Sequence, residues 1–389
     1  MNLSKRRLYL FNAKRNKYFM KFKFLQYFFR ILIYVYRLNK PNPKKLNMKK
    51  ITLLFCFALM VFGSATVFAQ TGKSEYKITN KIQLGGAGGW DYLNVDESAG
   101  RLYASHASQV MVVDLKKGAL TGTIADTKGV HGIAIAQDLG KGFISCGRDS
   151  SVAVFDLKTL AVIERVKVTG KNPDAILYDP YKHIVLTFNG GSSNSTVLDA
   201  KTNKVIATIP LAGKPEFSQT DGKGKVYVNI EDKSSLTVIN TNTLKVENNW
   251  PIAPGEEASG LAFDNVNHRL FMVCSNKMMV VMNALDGKVI TTLPIGNGCD
   301  GAAFDPGTKR AFSSNGDGTM TVVQEVTPDS FKVVENVPTQ TGARTIACDK
   351  STHALYLPSA NYEPQAAGAT GRPKMIADSF MILEIQPVK

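Results

Sequence analysis

A short β-rich run closing on a polar side chain recurs seven times in this chain, and its spacing leaves few folds open. The runs occupy residues 110–114, 152–156, 195–199, 236–240, 279–283, 320–324 and 380–384. Their polar ends, Asp114, Asp156, Asp199, Asn240, Asn283, Gln324 and Glu384, lie 42, 43, 41, 43, 41 and 60 residues apart. A period of about 42 residues is that of a four-stranded propeller blade. Asp96, Asp179, Asp221, Asp264, Asp305 and Asp349 keep the same register, each ending an apolar run and opening a turn. Aspartate starts turns because its carboxylate accepts hydrogen bonds from backbone N–H groups two residues on. An aromatic strand follows most of these turns (Tyr103, Phe143, Tyr227, Phe271, Phe312, Tyr356), while the second repeat carries Ala136 in place of the turn Asp.

The unit therefore reads as four antiparallel strands, a to d, and the expected fold is an all-β, seven-bladed β-propeller. The last repeat has no strand d, whereas an orphan strand at 76–84 precedes the first. The N-terminal strand is expected to complete the seventh blade, closing the ring and removing its free edges. Helix-free repeats in one register exclude a helical solenoid and two unrelated β-domains.

Residues 227–230 read Tyr-Val-Asn-Ile, with relatives at 102–105 and 355–358, each followed by a strand ending in Asp, Asn or Glu. These repeats resemble the YVTN-type repeats of YncE-like propellers, across essentially all of residues 76–389. The resemblance implies the fold and a periplasmic or surface location, and it assigns no chemistry. The Gly-His and Trp-Asp pairs of WD40 blades are missing; Trp90-Asp91 is the one such dipeptide.

The first 69 residues behave differently. Residues 1–47 hold thirteen Lys/Arg and no acidic residue. Met48-Lys49-Lys50, an apolar run over 51–62 and Val67-Phe68-Ala69 before Gln70 have the pattern of a cleaved secretory signal peptide. Accordingly, 1–47 reads as a mis-called extension, 48–69 as the signal peptide and 70–389 as the propeller, periplasmic, cell-surface or secreted, with no membrane span after cleavage. Beyond residue 50 the remaining 32 Lys/Arg balance 32 Asp/Glu. The formal net charge of +15 thus belongs to the leader, and nucleic-acid binding is not indicated. Cys146, Cys274, Cys299 and Cys348 follow the leader without a zinc spacing. Cys274 and Cys299 fall on neighbouring blades, which leaves both a disulfide and two free thiols open.

Counting back five residues from each turn gives one position per blade at the start of strand a: Asp91, His131, Asp174, Glu216, Ser259, Asp300 and Arg344. Six of the seven are ionisable, and a propeller gathers them around its channel mouth. The b–c loops place His106, Arg148, Asn189, Glu231, Asn276 and Asn315 above the same opening. The last b–c loop, 362–378, is long enough to lie over it.

Three readings follow. Carboxylates crowded at one mouth call for a cation, and Asp174, Glu216 and Asp300 are the candidate ligands for Ca²⁺ or Mg²⁺. His131 and His106 beside those carboxylates supply general acid–base groups for a metal-assisted, lactonase-like hydrolase or lyase; Gly-x-Ser-x-Gly is absent. Thirdly, the face serves as a rigid binding platform for a small molecule, a surface polymer or a protein, with Arg344 pairing with Asp300 or Asp91. His183, His268 and His353, in the a–b turns of the opposite face, are expected to be solvated.

Overall fold

The computed structural model describes residues 75–364 and 374–388. The assignments made for 1–47 and 48–69, and the tip of the 362–378 loop, lie outside the described residues. Within them the chain forms seven four-stranded antiparallel sheets arranged as a β-propeller. Among the described residues no helix is long and apolar enough to cross a membrane.

The repeated residues explain the blades. At the c–d turns the polar end accepts from the backbone ahead of it: Asp114 Oδ1 from Lys117 N at 2.9 Å, Asp199 Oδ1 from Thr202 N at 2.7 Å, Asn240 Oδ1 from Asn242 N at 2.8 Å. The a–b turns use the same device, as in Asp305 Oδ1 with Gly307 N at 2.9 Å. Strands b and c are buried on both faces, since each blade is covered by its neighbours. Val110, Val112, Val113, Tyr103, Phe143 and Phe271 are wholly buried. Outer strands such as Lys245–Pro251 are largely exposed. The apolar core is accordingly a series of layers between blades.

The ring closes as its ends suggested. Tyr76–Gln83 pairs antiparallel with Met381–Pro387, from Tyr76 opposite Pro387 to Gln83 opposite Met381. Tyr76 also packs edge-on against Phe312 of blade six at 5.4 Å. All four described cysteines are free thiols. Cys299 Sγ donates to the carbonyl of Cys274 at 3.1 Å, so the two neighbours meet without bonding.

The opposite-face histidines are more engaged than their turns suggested. His353 Nδ1 lies 2.9 Å from the buried Asp305 carboxylate, and His183 Nδ1 lies 3.0 Å from Asp138 and 2.9 Å from the Tyr178 hydroxyl. Both reach across to a carboxylate of the preceding blade, and Asp305 is already held there by Gly307 and Thr308.

Candidate functional site

The ring positions acquire their direction from a β-bulge. In blade one Trp90 stands opposite His106 and Leu93 opposite Ala104, so one extra residue is inserted at Asp91-Tyr92. Blades two to six break register at the same place, around His131, Asp174, Glu216, Ser259 and Asp300. A bulge re-aims the side chain it carries. Here the repeated irregularity delivers one side chain from each of these six blades to the mouth.

Polar side chains, most of them in strands b, then fasten the bulges within a blade and to the next one. Asp91 N donates to Ser105 Oγ at 2.9 Å and Gly132 N to Ser145 Oγ at 2.8 Å. The Ser145 hydroxyl donates in turn to the Asp174 carbonyl of blade three. Asn229 Nδ2 reaches the Ser259 carbonyl at 2.9 Å, Ser314 Oγ the Arg344 carbonyl at 2.6 Å, and Thr345 Oγ1 the Asp91 carbonyl at 2.6 Å. Short polar residues inside otherwise apolar strands b were the available sequence signal, and reading the repeat for its apolar pattern passed over them.

Three groupings resolve the crowding of charge. His131 Nδ1 lies 2.7 Å from Asp91 Oδ2 and 3.5 Å from Asp174 Oδ1. Lys214 Nζ bridges Glu216 Oε1 at 2.7 Å and Glu231 Oε2 at 2.5 Å. Arg344 is ion-paired with Asp300, lies 3.9 Å from Asp91 Oδ1 and donates to the Trp90 carbonyl at 3.3 Å. The expected trio Asp174, Glu216 and Asp300 therefore does not converge, because Arg344 takes Asp300 and Lys214 takes Glu216. Among the described residues, the group of three with metal-ligand spacing is Asp91, His131 and Asp174, whose donor atoms lie within 4.8 Å of one another.

Protonation follows from this packing. Burial raises the Asp174 carboxyl, with the charge of Asp91 adding to it, against the opposing pull of His131 and Lys214. Glu216 is raised by burial and by Asp174, against Lys214. Burial alone lowers the His131 imidazole, but its hydrogen bond to Asp91 and the charges of Asp174, Asp91 and Glu216 outweigh that and leave it above the ordinary value. A mouth with a surplus of negative charge thus holds protons more tightly than free carboxylates do.

Beneath the ring two aromatic side chains narrow the axis. Tyr92 and Phe217, the residues after Asp91 and Glu216 on blades one and four, meet edge-on at 5.2 Å. In other blades the corresponding residue is small: Gly132, Ala175, Gly260 and Gly301 let neighbouring inner strands close in. Cavities of about 180 and 230 Å³ lie along the axis below the carboxylates, lined in part by Phe217, Gln219, Ile176 and Lys350.

The remaining expected residues divide. Asn189 is wholly buried, its amide bonded to Asn194, Thr196 and Thr187 within its own hairpin. Asn315 repeats this arrangement with Thr319, Thr321 and Ser313. His106 is also buried, stacked on Phe380 at 4.2 Å and 16°, with burial holding its pKa below the ordinary value. These three do not join His131 at the opening. Arg148 is exposed, and Asn276 ties its amide to the Pro254 carbonyl at 2.9 Å.

A cavity of about 570 Å³ opens on this same face across blades six, seven and one. Trp90, Tyr362 and Met375 supply its apolar walls, Asn297, Asp317, Thr341 and Arg344 its polar groups, and several glycines bare backbone. Tyr362 and Met375 face each other at the stem of the long b–c loop, and Trp90 packs against Tyr362 at 6.5 Å.

Comparison with known proteins adds the fold and little else. No family model matches the chain. One curated relative is Antigen Lp49 of Leptospira interrogans serogroup Icterohaemorrhagiae serovar copenhageni (strain Fiocruz L1-130), 27% identical over 44% of this chain and 39% of the antigen. The chain thus matches well under half the length of that relative. A chain of the mitotic checkpoint complex superposes with a TM-score of 0.64 at 12% identity, covering 75% of this chain and 91% of that one. A chain of Kuenenia stuttgartiensis hydrazine synthase does so with a TM-score of 0.59 at 17% identity, covering 75% and 95%. What they share is the propeller.

Proposed function

We propose that this protein is an exported, YncE-like propeller that binds a ligand on its mouth face, with the cavity beside Arg344 as the site. The cavity carries the reading: about 570 Å³, with Trp90, Tyr362 and Met375 on one side and Asn297, Asp317 and Arg344 as polar anchors. Apolar walls with a few fixed polar groups are the usual composition of a small-molecule site. A ring with one apolar face and a hydroxyl-bearing rim, as in one unit of a surface glycan, suits this lining. Its ring would lie against the aromatic wall while hydroxyls met the amide and carboxylate. Export is supported by the signal-like pattern before residue 70.

The test is equilibrium binding of a panel of mono- and oligosaccharides, with the Tyr362→Ala variant in parallel. Loss of an aromatic wall is expected to weaken the best ligand tenfold or more, about 1.4 kcal/mol. A ligand bound equally by parent and variant places the site elsewhere, and no binder in the panel removes the glycan reading.

A second reading, divalent-metal-assisted hydrolysis or elimination, is favoured by the convergence of Asp91, His131 and Asp174. It predicts turnover of a lactone or uronide that Asp174→Asn abolishes.

A further inference from the structure

We infer that Asp91, His131 and Asp174 form a binding site for a first-row divalent transition ion, with zinc as the reference probe. The site lies on the carboxylate side of the Tyr92–Phe217 floor, and its argument is independent of the aromatic cavity.

Two carboxylates point at a single ring nitrogen. His131 Nδ1 is 2.7 Å from Asp91 Oδ2 and 3.5 Å from Asp174 Oδ1. One N–H donates well to only one of them. Asp174 Oδ1 is enclosed and no hydrogen bond of good geometry reaches it, with the His131 N–H standing at 3.5 Å and the Tyr92 hydroxyl acting on the carboxyl as a whole. A buried carboxylate oxygen left in that state is costly, and a cation at the point where the three donor atoms converge satisfies it. Two ligands of a tetrahedral zinc ion, each about 2.1 Å from the metal, stand about 3.4 Å apart. The His131–Asp174 separation already has that value. The His131–Asp91 pair opens by under about 1 Å when the proton between them is displaced by the ion. The proton leaves to solvent, and no other bond changes.

The donor set selects the ion. Calcium takes six to eight oxygens, and this cluster offers two carboxylates and an imidazole. Imidazole favours zinc, iron, nickel or copper over calcium and magnesium. The ring residues that would complete an all-oxygen shell are committed elsewhere, Glu216 to Lys214 and Asp300 to Arg344. Three protein ligands leave a coordination position open toward the mouth. The scaffold is also stiff: the Asp91 backbone is held by Ser105 and Thr345, and that of Asp174 by Ser145.

The purified full chain, stripped with chelator, is titrated with Zn²⁺, Co²⁺, Ca²⁺ and Mg²⁺ by calorimetry, with the cobalt visible spectrum and zinc X-ray absorption recorded on the parent. Zinc is expected to bind at least tenfold more tightly than calcium or magnesium. Cobalt should give ligand-field bands, and the absorption edge one nitrogen among oxygen neighbours. His131→Gln and Asp174→Asn should each weaken zinc at least tenfold, while His183→Gln on the opposite face leaves it within twofold. Unchanged affinity in both cluster variants, or calcium binding as tight as zinc, overturns the assignment. Should either variant fail to fold, an all-oxygen zinc shell or featureless cobalt spectrum in the parent overturns it equally.

Discussion

Gly260 follows the ring position Ser259, and a Cβ added there would meet the Ala302 nitrogen at 2.7 Å and the Gly301 carbonyl carbon at 2.8 Å. Both are backbone atoms of the next blade and cannot step aside as a side chain would. Gly260→Ala is therefore expected to cost about 1–3 kcal/mol of stability, measured by urea denaturation. Gly89→Ala, with nothing within 4 Å, should stay within about 0.5 kcal/mol of the parent. The seven mouth positions were legible in the sequence because the repeat itself carries them. Their partners were not. Lys214 reaches Glu216 from a d–a loop, and Tyr92 meets Phe217 from three blades away; no period encodes either contact. His106 failed for a related reason, since a strand-end histidine looks the same in sequence whether it faces water or, as here, Phe380.

Among the elements, the a–b turns show how the repeat is varied where blades meet. Asp96 accepts from Gln137 and Asp305 from His353, each on the following blade. Asp264 also reaches the following blade, but the partner it meets there is a second acid, Glu325. Both carboxyls are buried, and Glu325 Oε1 is held by Asn267 Nδ2 at 2.8 Å. Burial, followed by the nearby Asp264 charge, raises the Glu325 carboxyl from 4.5 to about 7. Because the folded pKa lies above the unfolded one, the contribution to stability is complete below about pH 4.5 and disappears as pH rises through about 7. Glu325→Gln should remove that slope. Its unfolding free energy should exceed the parent's at pH 8 by on the order of 2 kcal/mol, with the gap narrowing toward pH 5. Chemical denaturation at the two pH values decides it, and a pH-independent difference would speak against a raised Glu325 carboxyl. The turn aspartates themselves were readable from the sequence. Glu325 was not, since it extends a strand c beyond the repeat's usual end, in Thr319–Thr327.

For the molecule as a whole, the first strand described sits beside the last: Val388 N donates to the Glu75 carbonyl at 2.8 Å. Removing 75–83 leaves blade seven with three strands and its inner layers open, so the melting temperature should drop by more than about 10 °C, or the chain should aggregate. A circular permutant joining 388 to 75 and opened at the turn that carries the exposed Lys223 retains every blade. It should melt within a few degrees of the parent in calorimetry. The propeller and its closure were predictable because spacing and a missing strand are written in the chain, whereas the axial contents depend on side chains that meet only once the circle is drawn. Among those, the aromatic pair on the axis has the widest reach. Tyr92 and Phe217, carried by blades one and four, touch across the axis, so a shift of either blade is passed directly to the one facing it.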